Sequence, residues 1–430
     1  MSVSMSAGDG AALAGGAEQL AAGPVTAWEE VAGVYQLDSC AAWIRERSLA
    51  KVSLQFPDAL LGDAAAVTRQ LASLCADSGR DVQLFILGDT TYGECCVDEI
   101  AAEHISSDGV IHFGHTCLTA TCRLPALWIF TRKSCDVTSL CSSLEDKARE
   151  APDTCPLVLV YDVEYDHLLS NLTLDNVPLV VGRCSSSNED ICDDSKVRKF
   201  GRTFDVESED ELKNRVVIYV GKGESSLLNF MYNWPENEFH VFDDGSLVPA
   251  NISVSKFMMK RYFLVEKTKD AERVGLLVGT LGTHRYADII ERLKATGRRA
   301  SKKVYVFLVG KPNVAKLANF PEIDVFVLVA CPETSLVDSR DFLQPIVTPY
   351  EFELACSRSV EWAGKLVTDF KELLIASSDD VDDGGGGGDQ EEEDSEGDVS
   401  LITGKVRSSA GTQETVSGGQ LTVINDKTIR

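Results

Sequence analysis

Short apolar runs rich in Val, Ile, Leu and Phe alternate with helix-length segments along most of the chain. Uninterrupted apolar runs are typical of strands that are covered on both faces, as in parallel sheets joined by crossover helices. The predicted strands lie at 51–56, 81–87, 109–113, 126–130, 156–161, 178–182, 215–220, 238–242, 273–279, 303–309 and 324–330. The pattern therefore predicts an α/β fold with mostly parallel sheets.

Eleven strands are predicted, which is more than one compact sheet normally carries. They fall into three groups of three or four. We predict three small, related α/β domains at 26–150, 151–260 and 261–377, with function in the loops that follow the strands. Residues 1–25 are rich in Ala, Gly and Ser, and residues 378–430 form an acidic, Gly-rich and polar tail. We predict a disordered N-terminus, and residues 377–398 carry too few apolar side chains to offset the entropy of ordering. For DVSLIT and the polar tail after it, docking on the folded body and a free tail are both left open.

Charge and cysteine content narrow the class of protein. A net charge of −26 argues against nucleic-acid binding, which needs basic patches to neutralise phosphates. No apolar run approaches the ~18 residues of a membrane span, and the start lacks the basic and apolar regions of a secretory signal. We therefore expect a cytosolic protein. In that reducing compartment the thirteen cysteines indicate metal binding, catalysis or packing more often than disulfides.

Three cysteines follow predicted strands in loops of unusual composition. Cys95 lies in the segment 88–99, GDTTYGECCVDE, which opens a predicted helix. The positive end of a helix stabilises a thiolate, the form that binds metal. Cys117 follows the strand GVIHF and Cys331 follows DVFVLVA. If the domains pack around a shared centre, these three thiols can converge there, and we interpret them as candidate metal ligands.

Inert packing is the alternative for every cysteine, because cysteine commonly behaves as a small buried hydrophobe. There is no Cys-x-x-Cys pair, so neither a zinc ribbon nor a ferredoxin-type cluster is indicated. The adjacent Cys95 and Cys96 are not expected to give both thiols to one centre without strain, and Cys96 is the alternative ligand if Cys95 is the packing residue. Packing is the role assigned to Cys40, Cys75, Cys135, Cys141, Cys155, Cys184, Cys192 and Cys356.

The histidines offer a competing site, in which His112, His115 and Cys117 bind zinc with another cysteine. Since His112 lies inside a predicted strand, its side chain is expected to point away from the loop residues, and a core or hydrogen-bonding histidine is favoured. The glycine-rich loops 220–225 and 278–283 each follow a strand, but neither matches the P-loop or the full dinucleotide-binding fingerprint. We interpret them as tight turns, with a nucleotide or adenosyl ligand as the alternative.

Two strings carry a resemblance to a known family. LGDTTYGECCVDEIAAEH at 87–104 and HFGHTCLT at 112–119 closely resemble the diphthamide synthase family, whose members share D-x-x-Y-G-x-C-C-V-D-[DE] and a later H-[YF]-G-x-x-C-L. Two paralogous eukaryotic subunits carry these segments, and the stretch KLANFPEIDVFVLVACPETSLVDSRDFLQPIVTPYEFELA at 316–355 is similar to the second of them. DVSLITG at 398–404 is similar too. The likeness runs from about Phe56 to Asp398, with gaps.

The resemblance implies three related α/β domains around a central 4Fe-4S cluster. By motif, the cluster would be held by Cys95, Cys117 and Cys331, with one iron left open and Cys96 as the alternative to Cys95. The catalytic paralogue and the archaeal homodimer take one cysteine from each domain. In this chain no clear middle-domain counterpart is present, and Cys117 takes its place. Weaker middle-domain candidates are Cys155, Cys184 and Cys192.

The resemblance also implies a reaction, the first step of diphthamide formation. A 3-amino-3-carboxypropyl group passes from S-adenosylmethionine to a histidine of translation elongation factor 2. The first subunit is expected to be the catalytic partner in a heterodimer, and the second to keep the partner's cluster reduced, with a small protein as electron donor. The shifted cysteine set of this chain is consistent with that supporting role. A metal-free scaffold and a self-sufficient radical enzyme with its own S-adenosylmethionine pocket are the alternatives.

Overall fold

The computed structural model describes residues 25–375 with short breaks, together with residues 402 and 404. The breaks lie at 78–80, 89–92, 122, 151–155, 175–176, 188–195, 251–253, 284, 338, 358–361 and 363. The segments predicted to lie outside the folded body, 1–25 and 378–430, fall outside the described residues apart from Val25, Ile402 and Gly404.

Every run predicted from the sequence corresponds to an observed strand, and the structure adds several short strands. The strands are β1 (Lys51–Gln55), β2 (Gln83–Leu87), β3 (Gly109–Phe113), β4 (Ala126–Ile129), β5 (Leu157–Tyr161), β6 (Leu179–Val181), β7 (Arg183–Cys184), β8 (Val197–Lys199), β9 (Arg202–Phe204), β10 (Val216–Val220), β11 (Glu238–Asp243), β12 (Ser246–Pro249), β13 (Arg273–Val278), β14 (Lys303–Phe307), β15 (Val325–Val329) and β16 (Ile346–Val347). The prediction missed β7, β8, β9, β12 and β16, which are short and carry polar residues or lie at edges.

Helices connect and cover these strands. They are α1 (Trp28–Val34), α2 (Leu37–Glu46), α3 (Ala64–Asp77), α4 (Glu99–His104), α5 (Val137–Glu150), α6 (Asp166–Leu169), α7 (Glu224–Asn233), α8 (Val254–Asp270), α9 (Tyr286–Arg299), α10 (Val314–Leu317), α11 (Pro332–Ser335), α12 (Pro349–Cys356) and α13 (Phe370–Ile375). None of the helices in the described part of the chain has the length and apolarity needed to cross a bilayer.

Three sheets share one strand order. In each, the second strand along the chain lies at one side, followed across the sheet by the first, the third and the fourth, and these four strands are parallel. The first sheet is β2-β1-β3-β4, the middle sheet is β6-β5-β10-β11, and the third sheet is β14-β13-β15-β16. The loops after β3, β10 and β15 therefore occupy equivalent places. The α/β fold with mostly parallel sheets is confirmed.

Two antiparallel additions belong to the middle of the chain. Strand β12 pairs with β11 at the edge of the middle sheet, and β7, β9 and β8 form a separate three-stranded sheet. The division of the chain into domains near 150 and 260 stays a prediction. Helix α8, Val254–Asp270, runs through the second of those points.

Apolar side chains cover both faces of each large sheet, which explains the uninterrupted apolar runs. In β15 every residue is buried. Val325, Val327 and Val329 enter one hydrophobic cluster, while Phe326 and Leu328 enter another on the opposite face. Alternate residues of a strand point to opposite faces, so both faces of β15 are apolar and its run has no polar position. Burial of this kind stabilises the fold by roughly 25 cal/mol for each Å² of apolar surface removed from water.

Candidate metal centre

Four cysteine thiols converge where loops of the first and third sheets meet. The group comprises the Sγ atoms of Cys95, Cys96, Cys117 and Cys331, all within 4.8 Å of one another. The Sγ atoms of Cys95 and Cys331 are 3.7 Å apart, and those of Cys96 and Cys117 are also 3.7 Å apart. The structure thus brings together the three cysteines singled out in the sequence, and Cys96 joins them.

Adjacent Cys95 and Cys96 both face this thiol group, with their Sγ atoms 4.0 Å apart. The sequence predicts that only one of them reaches a shared centre, and the structure differs. The backbone turns here, with the Cys96 N–H donating to the Gly93 carbonyl at 3.2 Å, and this turn lets neighbouring side chains point the same way. The described helix begins at Glu99 with Asp98 as its N-cap. Cys95 therefore lies about one turn before the helix rather than at its start.

Gln55, at the end of β1, fixes the turn that carries these two thiols. Its amide donates to the Cys96 carbonyl at 2.8 Å and accepts from the Asp98 N–H at 2.8 Å. The side chain is 1% exposed, and buried polar groups are kept because their hydrogen bonds are satisfied. Sequence analysis missed this residue, although a glutamine that ends an apolar strand was a usable signal.

The loop after β3 places Cys117 directly against the first turn. The Cys117 N–H donates to the Cys95 carbonyl at 3.1 Å, and the Thr116 hydroxyl donates to the same oxygen at 3.2 Å. Leu118 follows with a φ of 53° and packs on Gly201, where an added Cβ would lie 2.1 Å from the Leu118 Cβ. The middle part of the chain therefore supports the Cys117 loop through a backbone contact.

The loop after β15 supplies Cys331 from the third sheet. Cys331 is the N-cap of the short helix α11, with Pro332 in its first turn, and its side chain is fully buried. The Thr334 hydroxyl lies 3.2 Å from the Cys331 sulfur. Proline is favoured at the first helical position because its missing N–H is not needed there, so Ala-Cys-Pro ends the strand and aims the thiol out of the sheet.

The four thiols lie so close together that they shift one another's pKa values in opposite directions. Hydrogen bonds from Cys117, Cys95 and Cys96 lower the pKa of the Cys331 thiol well below its ordinary value. The pKa of Cys95 is raised by its hydrogen bonds with Cys117 and Cys331, and that of Cys96 is raised chiefly by Cys117. A thiolate is the species that binds metal, and the shared hydrogen bonds of the group favour ionisation of one of its thiols.

Four sulfur donors without a carboxylate in the group form a soft ligand set, which favours zinc, copper(I) or iron–sulfur chemistry. Four cysteines are the usual ligands of a 4Fe-4S cluster and also of structural zinc. The donor chemistry therefore fits both. A tetrahedral ion with metal–sulfur bonds of about 2.3 Å places its sulfurs about 3.8 Å apart, so a cluster would require these sulfurs to spread.

Both nearby histidines are held by other partners. His112 is fully buried, its Nε2 donates to the Glu94 carbonyl at 2.9 Å, and burial lowers its pKa to about 4. His115 Nε2 lies 2.8 Å from Glu333 Oε2. Burial alone would lower the pKa of His115, but the charge of Glu333 and its hydrogen bond outweigh burial and raise that pKa to about 9. Within the described residues neither imidazole joins the thiol group, so a His112–His115–Cys117 zinc site does not form.

The glycine-rich loop after β10 is filled by the chain itself. Asp162 Oδ2 accepts from the backbone N–H groups of Lys222 and Gly223 at 3.0 and 2.9 Å, and the Tyr219 hydroxyl donates to its other oxygen. A Cβ at Gly221 would lie 2.2 Å from that carboxylate. The backbone N–H groups of this loop therefore bind Asp162 instead of a phosphate, which favours the tight-turn interpretation of 220–225.

The second glycine-rich loop lies beside Cys96. Thr280, Leu281 and Gly282 face the Cys96–Asp98 turn across a cleft of about 10 Å³. A cavity of this size holds about one water molecule. Cys96 lines this cleft and is the half-buried member of the thiol group.

Six other described cysteines lie outside the thiol group: Cys40, Cys75, Cys135, Cys141, Cys184 and Cys356. Cys184, a weaker middle-domain candidate, packs against one hydrophobic cluster beside the middle sheet and another beside the first sheet. Cys155 and Cys192, the other two, lie outside the described residues. Within the described residues the middle sheet therefore gives no thiol to the group, as the sequence indicated.

Comparison with known proteins gives this arrangement a family. The family model for diphthamide synthesis proteins matches residues 56–367. Relatives named 2-(3-amino-3-carboxypropyl)histidine synthase subunit 2 include one from Gallus gallus, 40% identical over 387 residues that cover 87% of this chain and 78% of the relative. The one from Schizosaccharomyces pombe is 34% identical, with 87% and 75% covered, and the human one is 33% identical, with 90% and 81% covered.

A solved structure shows the same fold. The crystal structure of Dph2 from Pyrococcus horikoshii with a 4Fe-4S cluster superposes with a TM-score of 0.55, covering 77% of this chain and 94% of that chain at 18% identity. At that identity the likeness concerns the fold alone. The family match over most of the folded body and the relatives at 33–40% identity establish that this chain belongs to the diphthamide synthesis protein family.

Proposed function

We propose that this chain is the iron–sulfur subunit of a heterodimeric enzyme that transfers a 3-amino-3-carboxypropyl group from S-adenosylmethionine to a histidine of translation elongation factor 2. In this proposal it supports reduction of a cluster in the catalytic partner. The observation that carries the proposal is the convergence of four thiols within 4.8 Å in a chain of the diphthamide synthesis family.

Cys95, Cys117 and Cys331 are the proposed ligands of a 4Fe-4S cluster, and Cys96 is available as a fourth. A bound cluster of this type supplies one-electron chemistry at a potential set by charge, hydrogen bonds and solvent exposure. The chain itself fixes the loops that carry the thiols. The Gln55 amide donates to the Cys96 carbonyl, and the Cys117 N–H donates to the Cys95 carbonyl. Three of the four cysteines, Cys95, Cys117 and Cys331, are buried from water.

Two features favour a supporting role over independent catalysis. A fourth thiol leaves no ligand position that has to be filled by a substrate. Among the described residues, the cleft that reaches Cys96 measures about 10 Å³, whereas pockets for small organic ligands span roughly 300–1,000 Å³. The chain is therefore proposed to pass electrons rather than to bind S-adenosylmethionine.

The relatives' name, subunit 2, implies a partner subunit in a complex. We propose that this partner is the paralogous catalytic subunit, that elongation factor 2 is the substrate of the pair, and that a small protein donates electrons. A cytosolic location is part of the same proposal, because it supplies the reducing conditions that thiolate ligands need.

Activity of the separated subunits tests the supporting role. We expect the purified chain alone to show no measurable carboxypropyl transfer to elongation factor 2, while the heterodimer is active with a reductant. A catalytic subunit supplied with a strong chemical reductant should bypass part of the requirement for this chain. Full transfer by this chain alone, or saturable binding of S-adenosylmethionine to it, would favour the self-sufficient enzyme instead.

A single tetrahedral metal ion is the second candidate, and the sulfur separations favour it specifically. Three of the six sulfur pairs lie 3.7, 3.7 and 4.0 Å apart, near the spacing of about 3.8 Å expected around one zinc ion, and the other three lie within 4.8 Å. Such a site would be structural, and the chain would then act as a scaffold for its partner. Zinc without sulfide in the purified protein would support this candidate.

A further inference from the structure

The middle sheet takes part in the metal centre without giving it a thiol. The equivalent loops after β3 and β15 carry Cys117 and Cys331, whereas the loop after β10 carries Gly221–Gly223, closed by Asp162. Helix α7 begins directly after this loop, at Glu224. The middle sheet therefore presents a helix to the centre at the place where the other two sheets present a cysteine.

Helix α7 holds the two residues that follow Cys331. The Ser226 hydroxyl donates to Glu333 Oε1 at 2.8 Å, and the Asn229 side-chain amide donates to the Pro332 carbonyl at 2.9 Å. Asn229 is itself fixed, because its Oδ1 accepts from the Thr368 hydroxyl at 3.0 Å. Both α7 side chains are at least 95% buried, so water does not compete for these bonds.

Glu333 also binds the loop that follows β3 of the first sheet, through His115. Its second oxygen, Oε2, accepts from His115 Nε2 at 2.8 Å, and His115 lies two residues before Cys117. One carboxylate thus joins the loop of Cys117, the loop of Cys331 and helix α7. The Glu333 side chain is 13% exposed, and hydrogen bonds to a charged group in such a place are stronger than neutral ones.

We propose that Glu333 is a positioning residue that holds the Cys331 loop against the Cys117 loop. The middle sheet acts on the centre through this carboxylate and α7, in place of a thiol ligand. The inference rests on the proposed function in one respect, namely that the centre holds a metal. The geometric part concerns the two loops and holds for the metal-free chain as well.

The experiment compares Glu333→Ala with Glu333→Gln. A glutamine keeps an oxygen that accepts from Ser226, and its amide nitrogen donates to His115 Nε2 when that imidazole is neutral, but it removes the charge. Alanine removes both hydrogen bonds. The matched control is Glu353→Ala. Glu353 is 14% exposed and belongs to the same part of the chain, but it pairs with Arg292.

Two rates are measured on the full-length chain. The first is iodoacetamide modification of Cys117 and Cys331 in the metal-free protein, followed by mass spectrometry, which reports opening of the two buried loops. The second is iron release from the anaerobically reconstituted protein to a chelator. We expect Glu333→Ala to raise both rates about tenfold, since bonds to a charged group are lost, while Glu333→Gln stays within about twofold of wild type.

Two results would overturn the inference: rates in Glu333→Ala equal to wild type, or equal acceleration in Glu353→Ala. A glutamine variant as fast as the alanine variant would support it and assign the hold to the charge of Glu333. A wild-type chain that takes up no iron would refute the proposed function, and the modification rates would still decide the role of Glu333. Unfolding temperatures of the variants distinguish loop opening from global destabilisation.

Discussion

Replacing Cys331 by alanine is expected to remove most of the bound iron. Cys331 is the only described thiol of the group that comes from the third sheet. Without it, all remaining sulfurs belong to loops of the first sheet. Changes in outer-shell partners already weaken metal sites by about 10–100-fold, so loss of a ligand should exceed that range and leave little iron after purification.

The control for this prediction is Cys40→Ala. Cys40 is as fully buried as Cys331 but lies in the core beside the first sheet, so its loss removes a thiol without touching the centre. Cys96→Ala extends the test, since the half-buried Cys96 is the proposed fourth ligand and its loss should leave much of the iron in place. Iron and sulfide analysis of the three variants checks these expectations. A Cys331→Ala protein with wild-type iron content would contradict the assignment.

A side chain at Gly201 is expected to disturb the centre from outside the thiol loops. Gly201 follows Phe200 in the turn between β8 and β9, with a φ of 69°. An added Cβ would lie 2.1 Å from the Leu118 Cβ and 2.6 Å from the Leu118 carbonyl oxygen. The left-handed conformation costs an L-residue about 1–2 kcal/mol, and overpacking adds roughly 1–3 kcal/mol. We expect Gly201→Ala to displace the Cys117 loop and lower the unfolding temperature.

Gly245 provides the matched control. It lies in the turn between β11 and β12 with a φ of 81°, and its nearest neighbour would be the Ser139 Cβ at 3.9 Å. Gly245→Ala thus carries the conformational cost without the clash. Iron content and the modification rate of Cys117 should change in Gly201→Ala and stay near wild type in Gly245→Ala. Equal effects of the two substitutions would show that the contact with Leu118 is unimportant for the centre.

The sheets were predictable because strands covered on both faces leave a continuous apolar signal. In β15 alternate residues enter opposite clusters, so no polar position interrupts the run. Strands β7, β8 and β9 span two or three residues each and include Arg183, Lys199 and Arg202. Such pieces form through tertiary contacts and carry no period of their own. Their turn nevertheless supports Cys117 through Gly201, a contact that sequence reasoning had no means of finding.

The cysteines of the centre could be predicted from the sequence, but the residues that position their loops could not. A cysteine after each of two buried strands was visible in the sequence, and family resemblance singled out Cys95, Cys117 and Cys331. The participation of Cys96 depends on the turn at Gly93–Cys96, which adjacency alone did not indicate. Glu333 and Ser226 are 107 residues apart, and only the packing of α7 on α11 brings them into contact. Long-range polar pairs of this kind have no local pattern.

The central claim is that these thiols hold an iron–sulfur cluster. Its most direct test is the content of iron, acid-labile sulfide and zinc per chain in wild-type protein purified without oxygen. The account predicts about four iron and four sulfide per chain and no zinc, as a 4Fe-4S cluster requires. One zinc per chain without sulfide, or a chain free of any metal, would contradict it.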